Sequence, residues 1–298
     1  MRMGLRRNAV LYWMLLPGII LTIVFQYLPM AGLVIAFQDF KPWLGFAKSP
    51  WVGWDNFQTA FQREDSLQVV WNTLFIATAK IIVNLAVPVV FALLLNEIRH
   101  VGFKKAVQTL VYLPHFLSWV VFGGIVSDLL SSQGLINTVL LPSLGLNPIL
   151  FLADGYWFRF IVIVSDNWKE FGFATIVFLA ALSNVDPSLY EAAEVDGANR
   201  WQQTLTVTIP ALIPIVIVVG TLAMSSVLNA GFDQIFNLYN PLVYDKGDII
   251  DTFVYRIGLL NSQFGLGTAI GLFKSAVGFI MIMIAYTLAS RFANYRIF

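Results

Sequence analysis

The chain reads as an all-α integral membrane protein with six transmembrane helices. Mean hydropathy is +0.75, and only 12% of the 298 residues are charged, about half the ~25% of a soluble domain. Apolar stretches long enough to cross a bilayer, about 20 residues, occur near 11–36, 69–95, 106–130, 157–182, 209–231 and 268–290. No internal repeat or low-complexity linker divides them, so residues 1–298 read as a single transmembrane domain. Cysteine is absent, which excludes disulfides, thiol catalysis and cysteine-ligated metals. A net charge of +1 with no basic patch gives no footprint for nucleic acid.

In the first span, Arg2, Arg6 and Arg7 precede an apolar run, as in a signal peptide. The run outlasts a signal-peptide core and lacks a small-residue cleavage site, so it reads as a retained helix. Pro17 and Pro29 predict a kink in it. Residues 38–68 follow, with Trp43, Trp51, Trp54 and Phe57 among polar residues; tryptophan there either anchors a membrane interface or serves a site. The second span carries Lys80 and Asn84. The third contains Pro114 and His115, which with His100 reads as a lone structural histidine and not as a metal ligand. Residues 131–156 are turn-rich, with Gly134, Pro142, Gly145 and Pro148.

The fourth span holds Asp166, Trp168, Lys169 and Glu170; Asp166, Lys169 and Glu170 stand at i, i+3 and i+4 and so share a helix face. A polar loop, 183–208, leads into the fifth span. Residues 232–267 form the most polar stretch on the far side. The sixth span carries Lys274, with Gly267 and Gly271 offering a small-xxx-small packing face.

Lysine and arginine set the orientation. Arg2, Arg6, Arg7, Arg99, Lys104, Lys105, Arg200, Arg291 and Arg296 lie on one side, against Lys41, Lys48, Arg63, Lys246 and Arg256 on the other. That bias predicts cytoplasmic N and C termini and a cytoplasmic 183–208 loop.

The loop has its own grammar. Asp186-Pro187 starts a helix, Asp as the cap and Pro at the first helical position. Gly197 supplies the left-handed residue that ends it. Asn199 with Gln202 reads as a capping box for a second short helix. Ile209-Pro210 is expected to close that helix, because proline cannot continue the hydrogen-bond ladder. The alternative is a solvated linker between two spans.

Glu191-Ala-Ala-Glu-Val-Asp-Gly-Ala, followed by Pro210 and Pro214, resembles the EAA loop of ABC importer permeases. Three further stretches are similar to the carbohydrate branch of that family, and within it to the LplB-like polysaccharide-importer group: Asn229-Ala-Gly-Phe-Asp-Gln-Ile-Phe-Asn-Leu-Tyr-Asn-Pro, Gly247-Asp-Ile-Ile-Asp-Thr-Phe-Val-Tyr-Arg and Trp168-Lys-Glu-Phe-Gly. Trp51-Val-Gly-Trp-Asp-Asn-Phe adds to this, so the resemblance covers nearly the whole chain. The pattern departs at Thr204, where the family usually has an aromatic, and at Leu205, where it has a longer polar residue; Trp201 is a candidate to replace the aromatic contact.

The resemblance implies a MalF/MetI-like permease fold in a bacterial cytoplasmic membrane and alternating access. It also implies a second permease as heterodimer partner, two ATP-binding cassette subunits that hold ATP and magnesium, and an extracytoplasmic solute-binding protein. Glu191, Ala192, Ala193, Asp196, Gly197 and Ala198 would couple to the ATPase. The cargo implied is an oligo- or polysaccharide, alginate being one candidate.

Nothing in the sequence forms a catalytic set. Gly267 to Gly271 lacks the lysine and strand of a phosphate loop, and there is no nucleophile elbow, so the chain is expected to be a transport subunit without bound cofactor or metal. Ionisable groups at membrane depth face a cavity or one another. Lys80, Asp166, Lys169, Glu170 and Lys274 therefore either line a sugar path or lock helices together. Asn84, Trp168, Phe171, Asn229 and Phe232 offer the aromatic and amide mixture that sugars require. A stand-alone secondary transporter or channel is the rival reading; it needs coupling-ion sites at broken helices or a filter. An intramembrane enzyme is a further rival, and lacks its catalytic residues.

Overall fold

The computed structural model describes residues 9–292, and every ordered element in them is helical apart from one isolated bridge between Gln38 and Trp51. Arg2, Arg6, Arg7 and Arg296, used above for orientation, lie outside the described residues. The described residues divide into two compact units: 9–63 with 254–273, and 64–253 with 274–292.

In the first unit, α1 (Ala9–Thr22) passes through a wide turn, Ile23–Tyr27, into a tighter helix, Leu28–Phe37. The wide turn has a local cause. A proline ring presses on the carbonyl four residues before it and removes one N–H. Ahead of Pro29 the helix widens, so that the Leu28 N–H reaches back to the Ile23 carbonyl. The same device recurs before Pro142, where Leu141 bonds Ile136, and before Pro210, where Ile209 bonds Thr204.

Phe37 then organises the unit. Trp51 stacks on it at 5.7 Å, and Trp54 and Phe57 meet it at 5.4 and 5.3 Å. Helix α2 (Asp55–Gln62) is held by Asn56, which donates to the Ala36 and Gln38 carbonyls. Gly267 packs on Gly258, whereas a Cβ at Gly271 would meet nothing within 4 Å. Within this unit the close pair is thus Gly258 with Gly267.

The second unit is built on α3 (Glu64–Glu97) and α6 (Gly155–Leu182). Lipid tails are as apolar as leucine, so close approach and polar contacts hold such helices together. At Gly172 any side chain would run into the main-chain carbonyl of Val111, which shows how near α4 (Val101–Tyr112) lies to α6. One core cluster joins Ile76 of α3 to Phe158 and Val162 of α6, and to Phe122 of α5 (Trp119–Leu130). A second joins Ala92, Phe178 and Leu182 to Leu212 near the 183–208 loop.

The expected third span, 106–130, is not one straight helix. The segment Val101–Phe116 and α5 meet at 104°. Pro114 opens the tight turn, Leu113–Phe116, that finishes the first, and the Ser118 hydroxyl caps the second. The fifth span is also redrawn. Helix α9 (Ile209–Met224) ends before the predicted 231, and Pro210 does not close the helix before it: the chain is helical over Arg200–Met224.

Residues 232–253 are not a solvated loop. Short helices α10 (Phe232–Leu238), α11 (Tyr244–Gly247) and α12 (Ile250–Val254), with the links between them, bury Ile235, Leu238, Val243 and Ile249. Buried main-chain groups among them bond to α3, as burial requires: the Ile250 N–H donates to the Thr73 hydroxyl, and Asn72 donates to the Asp245 and Asp248 carbonyls. The final helix, α13 (Phe264–Phe292), has residues in both units. Four helices are individually long and apolar enough to cross a membrane, or up to six spans if each bent pair crosses once.

Candidate functional site

The 183–208 loop folds as a sequence of caps. The Asp186 carboxylate accepts the Ser188 N–H at 2.9 Å, with Pro187 opening α7 (Pro187–Val195). That bond holds the Asp186 carboxyl below the usual carboxylate range, because it favours the charged form. At the other end Gly197 takes φ +80°. The Ala198 N–H then reaches the Ala193 carbonyl at 2.9 Å, and the Gly197 N–H reaches Glu194 at 3.0 Å. These paired bonds are the Schellman closure of a helix.

Asn199 and Gln202 exchange bonds of 2.8 and 2.9 Å as a capping box for α8 (Arg200–Gln203). The Tyr190 and Thr208 hydroxyls meet at 3.1 Å and tie α7 to the foot of α9. The result is a fixed knuckle whose apolar side chains have no cover: Val195 is 87% and Trp201 69% exposed. Glu191, Ala192, Asp196 and Gly197 are exposed beside them, and Ala193 and Ala198 are half-buried.

The second cluster lies between α3, α6, α9 and the Asn229–Gly231 turn. The Lys80 ammonium, 6% exposed, donates to Asp166 at 3.1 Å, to the Ala230 carbonyl at 2.7 Å and to the side-chain oxygen of Gln234. The other Asp166 oxygen accepts from Asn84 at 2.7 Å, and Asn84 accepts from Asn167 at 2.8 Å. Gln234 in turn donates to the Val162 carbonyl and the Ser165 hydroxyl. A cavity of about 280 Å³ opens against this network, lined by Lys80, Asn84, Asp166, Ser226 and Asn229 among apolar neighbours. Lys274 donates to Asn229 at 2.8 Å and to Asp251 at 2.6 Å.

The other candidates go elsewhere. Asp166 takes different hydrogen-bond partners from Lys169 and Glu170, although helical spacing puts them on one face. Lys169 donates to the His115 carbonyl and to Glu170, both at 2.9 Å, and the other Glu170 oxygen meets the His115 ring at 2.7 Å. A helix face spans an arc wide enough for its edges to meet different neighbours. Trp168 packs edge-on to Phe122 and borders an apolar groove with Trp157 and Phe160. Phe232 stacks on Phe236, and Phe171 meets Phe91. None of these lines the polar cavity.

Sequence reasoning missed Gln234, which is fully buried, and the partners of His115. It also missed Arg159, which bonds the Lys246 carbonyl and Asn72. Burial of a lone glutamine leaves no local mark, whereas an arginine inside a span was a visible signal. Among the described residues no group of three or more His, Asp or Glu could hold a metal ion.

Long apolar helices with a capped, exposed knuckle between two of them define an integral membrane component. Residues 106–294 match the family of binding-protein-dependent transport system inner membrane components, and the chain belongs to that family.

It is 41% identical to Protein LplB of Bacillus subtilis (strain 168) over 99% of this chain and 93% of that one. It is 42% identical to the polygalacturonan/rhamnogalacturonan transport system permease protein YteP of the same organism, over 97% and 90%. Among solved structures it matches a bacterial ABC transporter involved in the import of the acidic polysaccharide alginate, with a TM-score of 0.89 and 40% identity over 97% of this chain and 98% of that one. A second match is the bacterial alginate ABC transporter in complex with an alginate pentasaccharide-bound periplasmic protein, with a TM-score of 0.89 and 38% identity over 99% and 98%.

Proposed function

We propose that the chain is one permease subunit of an ATP-driven importer of oligo- or polysaccharide. It crosses the membrane six times, with both termini and the 183–208 loop in the cytoplasm. It works beside a second permease, two ATPase subunits that bind ATP and magnesium, and an extracytoplasmic binding protein. Alginate and other acidic polysaccharides are candidate cargo by likeness to the relatives. ATP chemistry belongs to the partners; this chain supplies a path and a coupling device.

The observation that carries the reading is the knuckle itself. Glu191, Ala192 and Ala193 sit on a short helix, and Asp196, Gly197 and Ala198 in the turn that closes it, with Val195 exposed beside them. Such an element transmits force from a partner without deforming. Residues 183–186 link it at a 71° bend to α6, and α6 carries Asp166 of the polar cavity. Movement of the loop would therefore reach the cavity along one rigid helix.

Lys80, Asn84, Asp166 and Asn229 are proposed as the sugar-facing wall, with Lys274 holding Asn229. Trp168, Lys169, Glu170 and Phe232 are proposed to support the helices around it. The test is affinity purification of the tagged chain from its native membrane, followed by uptake of labelled oligosaccharide in vesicles. An ATPase subunit and a second permease are expected in the eluate, with ATP-dependent uptake. A chain that purifies alone and transports without ATP would overturn the proposal.

A further inference from the structure

The polar cavity has an unusual charge balance. Lys80 and Asp166 are the charged residues in its wall, and they are bonded to each other at 3.1 Å. An ammonium has three N–H donors, and Lys80 directs them to Asp166, the Ala230 carbonyl and Gln234. Both Asp166 oxygens are engaged, one by Lys80 and the other by Asn84. Next to the wall, Lys274 is compensated in the same way by Asp251. What remains toward the cavity is amide and hydroxyl chemistry from Asn84, Asn229 and Ser226.

We infer that the Lys80–Asp166 pair determines charge tolerance in this cavity: it presents glycosyl hydroxyls with a neutral wall that neither draws in nor repels a uronate carboxylate. The inference rests on the cavity being part of the sugar path. Two opposite charges in contact act at a distance as a dipole, whose field fades faster than that of a single charge. Loss of one partner exposes a whole charge in a low-dielectric setting, where it acts strongly across several ångströms. Asp166→Asn leaves the Lys80 cation and should favour acidic sugars. Lys80→Met leaves the Asp166 anion and should disfavour them. Selection between acidic and neutral cargo by the wild-type importer would then fall to other subunits, since this wall takes no side.

The experiment uses the whole importer in lipid nanodiscs, without its binding protein. Saturation-transfer NMR measures binding of an oligogalacturonide and of its fully methyl-esterified form, which has the same backbone without the charge. The acid-to-ester affinity ratio of the wild type is the reference. It is expected to rise roughly tenfold in Asp166→Asn and to fall roughly tenfold in Lys80→Met, the order expected of one unpaired charge acting at short range. The double variant should return to the wild-type ratio.

Subunit stoichiometry checks assembly in each case. Should Lys80→Met fail to assemble, Asp166→Asn alone decides, because the acid preference must still rise. An unchanged ratio in Asp166→Asn would overturn the inference and leave the pair a structural tie. Absence of binding of either glycan to the wild type would instead refute the sugar path through this cavity, and the inference with it.

Discussion

The Lys169 ammonium donates to the main-chain carbonyl of His115 at 2.9 Å, so one turn of α6 grips the break between α4 and α5. The grip has further parts. Glu170 meets the His115 ring, Phe173 stacks flat on that ring at 4.0 Å, and the Lys169 ammonium lies 5.5 Å from the centre of the Trp119 ring. The carbonyls freed where a helix bends by 104° need such partners in an apolar setting.

Lys169→Met is therefore expected to act on stability. It leaves Glu170 without its cation and the His115 carbonyl without its donor. Breaking a fully buried pair costs about 3–5 kcal/mol. Glu170 is one-third exposed, so a loss of about 2 kcal/mol is expected. Thermal unfolding of the purified complex should show it, with ATPase binding retained by what assembles. A variant with wild-type stability and lost uptake would instead place Lys169 in the path.

Gly197→Val should uncouple the transporter. A branched residue at φ +80° is strained by at least about 1 kcal/mol, and α7 is then misaimed. Glu191→Lys reverses a charge on the exposed face beside Val195. In both, subunits should still co-purify, while uptake and stimulation of ATP hydrolysis by loaded binding protein fall together. Retention of full stimulation and uptake by both would make the loop a linker.

Asn199→Ala removes one half of the capping box. A cap of this kind contributes about 1 kcal/mol, here confined to α8. Hydrogen exchange at Gln202 and its neighbours should quicken several-fold without a change in the midpoint of global unfolding.

Asp186 gives the α7 cap a pH dependence of known sign. Its folded-state carboxyl lies below the usual carboxylate range through the bond from Ser188. The cap is thus fully present above the unfolded pKa of about 4 and is lost as pH falls through the lower folded value. Exchange protection of the first α7 amides should drop in that acidic window. Asp186→Asn, which accepts the same bond uncharged, should show no such step.

Orientation is tested by reporters. An insertion near His100 should face the cytoplasm and one near Gly247 the opposite side. Finding both on one side would refute the six-crossing arrangement.

Much of this was legible in residue order because the physics is local. Asp186-Pro187, Gly197 and Asn199 with Gln202 state their caps within a few positions, and each cap formed. Apolar length marked where helices lie, but not where they break: Pro114 and Ser118 were visible, yet the 104° bend also needs the Lys169 and Glu170 contacts from α6. The cavity was half legible. Lys80 and Asp166 stood out as charges in apolar spans, while their third partner, Gln234, is 154 residues from Lys80. The separation of Asp166 from Lys169 and Glu170 depends on which helices flank α6, and no spacing rule encodes that.

The wide turns before Pro29, Pro142 and Pro210 have a consequence for how this chain can change length. Each holds one residue more than a regular turn needs, and a residue in a helix is worth about 100° of rotation. At Thr204–Thr208 that rotation sets which way the knuckle points relative to the side chains of α9. Removing a single residue there would re-phase the two segments without cutting the helix. Such turns act as vernier joints, where single-residue insertions and deletions re-aim a docking element while each flanking segment keeps its own packing.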